Sequence, residues 1–103
     1  MINTSATLSA QEIKQLHKIK NSLALSKSAS IRMSLKMTKN KDLETYIDKS
    51  EISKEAERSG VHFSISKEVY SELDTLSETY NESKSKIIGA AILAFSEEDF
   101  FSR

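Results

Sequence analysis

Two triplets, Ser26-Lys27-Ser28 and Ser83-Lys84-Ser85, stand 57 positions apart and carry the same small chemistry: hydroxyls, an ammonium and, if a helix starts there, unpaired backbone amides. The first amides of a helix have no intrahelical partner, and the aligned peptide dipoles favour negative charge beside them. Each triplet is therefore equipped to hold an anion such as a phosphate. The same serines also suit plain N-capping, and one residue can serve both roles. Other chemistry is sparse. The chain has no cysteine and only two histidines, His17 and His62, which excludes a catalytic thiol and argues against structural zinc. The carboxylates are spread over polar helix faces and no base stands at motif spacing from a hydroxyl, so no enzymatic activity, cofactor or metal is expected.

The elements that would position the triplets recur at the same offset. Registering Ser26 on Ser83 places Leu8 on Ile65, Ser9 on Ser66, Ile13 on Tyr70, Leu16 on Leu73, Ile19 on Leu76, Leu23 on Tyr80, Ile31 on Ile88 and Leu35 on Ile92. Each copy reads as strand, helix, helix, a unit too small to bury a core alone but able to do so against a second. Ser9 with Glu12 forms the sequence of a capping box, and Leu8 with Ile13 forms a hydrophobic staple around it; Ile65, Ser66 and Tyr70 repeat the cap and staple without the box. Apolar residues at helical spacing follow in both copies, and Ala24 and Asn81 fall in the turns. Second helices run to about Lys39 and Glu97. The later one, from Ile87 to Phe95, is apolar on nearly every side and is expected at the centre, with Gly89, Ala90 and Ala91 permitting close approach. Residues 41–59, with Leu43, Tyr46 and Ile47 on one face, read as a helical connector ended by Gly60, and 98–103 as a tail.

The 103 residues form one small cooperative unit with domains at 1–40 and 60–97. Equal numbers of acids and bases, 15 each, conceal a polarity: residues 1–41 hold eight Lys/Arg against one acid, and 42–103 hold seven against fourteen. A basic face and an acidic back would produce this, as would attraction between the halves. The chain contains neither a stretch long enough to span a bilayer nor a signal-peptide h-region, so a cytoplasmic protein without membrane contact is expected.

A short strand ending in Ser, an amphipathic helix, a turn and a helix opening with Leu25-Ser26-Lys27-Ser28-Ala29 resembles the ribbon-helix-helix family of DNA-binding proteins over about 3–39 and 60–97. With Thr7-Leu8-Ser9 upstream, the first copy is similar to the plasmid copy-control repressors of that family. The resemblance implies a mainly α fold with a short antiparallel β-ribbon, here a tandem pseudo-dimer in which one chain supplies both strands. It implies a sequence-specific double-stranded DNA-binding protein, a transcriptional repressor whose ribbon enters the major groove. Alternation along the strands turns Thr4, Ala6, Leu8, Val61, Phe63 and Ile65 toward the helices. Asn3, Ser5, Thr7, His62 and Ser64 then face the bases, and Ser26, Lys27, Ser28, Ser83, Lys84 and Ser85 the phosphates on either side. Neither strand carries an outward Arg or Lys at these positions, so the second strand is expected mainly to complete the sheet. Lys14, Lys18, Lys20, Arg32, Lys36 and Lys39 read as an ordinary solvated face. Further self-association on DNA is compatible with the resemblance. The tandem arrangement also resembles conjugative relaxosome accessory proteins and certain viral regulators, which makes a DNA-bending accessory factor one alternative. A protein-interaction module such as an antitoxin, binding a basic partner through the acidic half, is another.

Overall fold

Alternation along 2–9 and 58–65 produces two strands, and in the computed structural model, which describes residues 2–38, 43, 45–47 and 58–96, they pair with each other. Strand β1 (Ile2–Ser9) leads into helix α1 (Ala10–Leu23) and helix α2 (Lys27–Thr38); strand β2 (Arg58–Ile65) leads into α3 (Lys67–Tyr80) and α4 (Lys84–Ser96). The fold is mainly helical with one two-stranded antiparallel sheet. Its register is Asn3 opposite Ser64, Ser5 opposite His62 and Thr7 opposite Gly60.

The helix boundaries have local causes. Ser9 Oγ accepts from the Glu12 amide at 3.2 Å while Glu12 Oε1 accepts from the Ser9 amide at 2.8 Å, a complete capping box. Ser66 Oγ accepts from the Val69 amide at 3.2 Å, and with Val69 in place of a glutamate the reciprocal bond is missing. Both first helices end on a left-handed residue, Ala24 at φ 52° and Asn81 at φ 53°. The next amides, Leu25 and Glu82, then bond back to Lys20 O and Ser77 O at 3.1 and 3.0 Å, which satisfies carbonyls the helix would leave open.

Packing follows the apolar pattern. Ala6, Leu8, Val61, Phe63 and Ile65 bury the inner face of the ribbon against Leu16 and Ile19 of α1, Ile31 and Leu35 of α2, Leu73 of α3, and α4. Helix α4 is buried at every residue from Ile87 to Ser96 and packs on α1, α2, α3 and β1. Burial of a Leu, Ile or Phe side chain stabilises by about 1.5–3 kcal/mol, so α4 is the largest single contributor to the core. Helix α2 buries a row of hydroxyls instead. Ser30 and Ser34 each donate to the carbonyl one turn back at 2.8 Å, and Thr38 does the same to Ser34 O, so this face meets the core with its polar groups satisfied.

One boundary differs from the sequence expectation. Gly60 does not close a helix: β2 starts at Arg58 and Gly60 lies inside the ladder, opposite Thr7. A glycine after a charged polar stretch looks like a terminator, but pairing with the eight-residue β1 carries it into the sheet. The second helices are helical through Thr38 and Ser96, and the ends expected at about Lys39 and Glu97 lie outside the described residues. Most of the connector at 41–59 and the whole tail at 98–103 lie outside the described residues; within the connector, 43 and 45–47 are helical, with Leu43 and Ile47 buried and Tyr46 packed against the core. Among the described residues no helix is long and apolar enough to cross a membrane.

Candidate nucleic-acid interface

Strand alternation decides which side chains leave the core. Asn3, Ser5 and Thr7 of β1 and His62 of β2 are exposed, and Ser64 is half-buried, whereas Ala6, Leu8, Val61, Phe63 and Ile65 are buried beneath them. The outer face of the ribbon therefore carries the polar cross-strand pairs Asn3–Ser64, Ser5–His62 and Thr7–Gly60, and the same row of the register continues to Ser9–Arg58, where Ser9 is buried. The first pair is joined: Ser64 Oγ donates to Asn3 Oδ1 at 2.9 Å. Gly60 was not among the expected site residues. Its signal was available, since registering the copies sets it against Asn3.

A two-stranded sheet has only edges, and the backbone groups on them need partners. The second helices supply these. The Ser64 amide donates to Ser28 Oγ at 2.9 Å, and the Thr7 amide donates to Ser85 Oγ at 3.0 Å. These two bonds are equivalent under the 57-residue offset, and each joins a strand of one copy to a helix of the other. A hydroxyl that accepts from an amide still carries a proton to donate. Ser28 and Ser85 thus stand between the ribbon and whatever lies outside it.

The helix starts behave as N-caps. Ser26 Oγ accepts from the Ala29 amide at 3.1 Å and Ser83 Oγ from the Lys86 amide at 3.3 Å. The amides of Lys27, Ser28, Lys84 and Ser85 belong to the first turns, where no intrahelical acceptor exists. Ribbon and α2 come together at an open cleft of about 490 Å³ lined by Asn3, Thr4, Ser5, Ser28, His62, Phe63 and Ser64. Five of the eleven expected contact residues share this cleft. Thr7 and Ser85 meet at the opposite end of the ribbon, and Ser26, Lys27, Ser83 and Lys84 flank the two ends.

The two triplets differ in electrostatics. Lys84 Nζ pairs with Asp74 Oδ1 at 2.9 Å and lies 5.6 Å from the centroid of the Tyr70 ring. The hydrogen bond to Asp74, and then its charge, hold the Lys84 ammonium above its ordinary value of 10.5. Lys86 pairs with Glu82 at 3.2 Å. At the first triplet Lys27 is exposed, and among the described residues no carboxylate pairs with it. The offset explains this: Asp74 corresponds to His17, and Tyr70 to Ile13. The outer faces of the first helices follow suit, with exposed Lys14 and Lys18 on α1 against exposed Glu68, Glu72 and Glu78 on α3. Asp74 was the other residue that sequence reasoning missed, because it neutralises a contact rather than making one.

Among the described residues no cluster of three or more His, Cys, Asp or Glu side chains is placed to hold a metal ion. No family model matches the chain, and neither a curated protein nor a solved structure matches it.

Proposed function

We propose that the chain is a tandem ribbon-helix-helix pseudo-dimer that binds double-stranded DNA sequence-specifically and acts as a transcriptional repressor. The observation that carries this reading is the pair of crossed bonds, Thr7 to Ser85 and Ser64 to Ser28, which set two helix N-termini on either side of one ribbon with a polar outer face. Two paired strands lie about 4.8 Å apart, and the major groove, about 12 Å wide, admits such a ribbon. With the ribbon in the groove, the amides of Lys27 and Ser28 and of Lys84 and Ser85 reach the phosphates that border it, and Asn3, Ser5, Thr7, His62 and Ser64 reach base edges. The basic first copy supplies most of the attraction, because Lys84 and Lys86 are already paired within the chain.

A salt titration of binding to duplex DNA tests the reading. Affinity should fall steeply as salt rises, with a slope of about −0.9 per phosphate neutralised. Absence of binding at low salt would overturn it. A reporter driven from the DNA flanking the coding sequence should be silenced by the protein, which separates a repressor from an accessory factor that leaves transcription unchanged.

A further inference from the structure

The outer face of the ribbon is chemically one-sided. At one end Asn3 and Ser64 face each other and are bonded; at the other, Thr7 faces Gly60, which has no side chain. Under the 57-residue offset Asn3 corresponds to Gly60, and Ser64 to Thr7. The same cross-strand pair is thus built at one end and lacks its amide at the other.

The bond between Ser64 and Asn3 settles what the built end offers. Ser64 Oγ takes one of the two lone pairs of Asn3 Oδ1 and fixes which way the amide points. The second lone pair and the Nδ2 hydrogens remain, and together they match the N6 donor and N7 acceptor of adenine. An exposed asparagine held in this way loses less rotamer freedom on binding than an untethered one. The Asn3–Ser64 and Thr7–Gly60 pairs are four residues apart along the strand, about 13 Å, so they fall on different base pairs.

Resting on the DNA-binding reading above, we infer that the chain reads a non-palindromic site, with Asn3 recognising an adenine near one end of the ribbon, Ser64 acting as the positioning residue for Asn3, and the equivalent Thr7–Gly60 pair carrying no bidentate reader. The glycine is also a removable blank. A Cβ at Gly60 meets nothing within 4 Å and its φ is not positive, so a larger residue fits without strain.

Selection from a randomised duplex pool, followed by binding measurements on single-base variants of the selected duplex, tests this. The wild-type chain should select a site with an adenine specified at one end only. Asn3→Ala should lower the preference for that adenine by about tenfold or more. Ser64→Ala should relax the same base pair, Ser64→Thr should restore it, and the Asn3→Ala/Ser64→Ala double variant should lose no more than Asn3→Ala alone. Gly60→Asn should add an adenine preference at the far end and make the selected site more nearly palindromic. A palindromic site selected by the wild-type chain, or a Ser64→Ala variant that keeps full preference while Asn3→Ala loses it, would overturn the inference and leave DNA binding standing. A pool that yields no binding at low salt would overturn both. The substitutions lie on the outer face, and an unchanged melting temperature separates lost reading from lost folding.

Discussion

The Glu12 carboxylate lies against Gly89: a Cβ built on the glycine would stand 2.6 Å from Glu12 Cδ and 2.9 Å from Oε1. Glu12 is 1% exposed and its Oε1 is held by the Ser9 amide, so it cannot move aside without opening the capping box. Gly89→Ala should therefore destabilise the protein by about 1–3 kcal/mol, the usual range for overpacking. In a Glu12→Ala background the same substitution should cost much less, and urea denaturation of the four proteins in the cycle measures the difference.

Ala24 holds the left-handed position that ends α1, at φ 52°. An L-residue with a Cβ pays about 1–2 kcal/mol there, and glycine avoids most of that at the expense of a more flexible unfolded chain. Ala24→Gly is expected to raise stability by about 0.5–1 kcal/mol, visible as a higher urea midpoint at unchanged slope. Ala24→Val should lower it.

Ser28 ties α2 to the ribbon edge through the Ser64 amide. Ser28→Ala removes the acceptor and should cost about 1 kcal/mol of stability. It should also weaken DNA binding beyond what that loss explains, since the hydroxyl is one of the expected phosphate donors. Comparing affinities well below the melting temperature, where each variant is folded, isolates the second effect.

Lys27 and Lys84 should contribute unequally. Lys27→Ala is expected to weaken binding to all duplexes alike and to reduce the salt slope by about one, whereas Lys84→Ala should change little. Asp74→Asn frees Lys84 and should raise affinity at low salt by about three- to tenfold, with a slope steeper by up to about one. The pH dependence has a definite sign. Because Lys84 is raised above 10.5 in the folded chain, its pairing with Asp74 is fully present below that value and is lost only as pH climbs through the raised one. An affinity gain of Asp74→Asn should therefore stay constant across neutral pH.

What could be read from the residues was whatever is local. Ser9 and Glu12 announce their capping box within four positions, and the exposed and buried faces of both strands follow from alternation around Ala6 and Phe63. The crowding of helices around Gly89 was legible too, although not that a carboxylate would occupy the space. What could not be read was pairing between distant positions. Nothing in the chain announces that Asn3 faces Ser64, because the register is set by how two separate helix pairs pack beneath the ribbon. Asp74 meets Lys84 across a turn whose direction depends on the left-handed Asn81. Gly60 read as a stop because the preference of glycine for turns is local, and the partner strand that overrides it is not.

The pairing of β1 with β2 has a consequence for concentration as well. Joining two separate chains carries a concentration term, whereas closing this ribbon carries only a loop term that grows by about 0.6 kcal/mol for each doubling of the intervening length. Dilution that would dissolve a two-chain ribbon leaves this one closed. Under the proposed DNA-binding role, forming the ribbon therefore sets no concentration threshold for occupying a site.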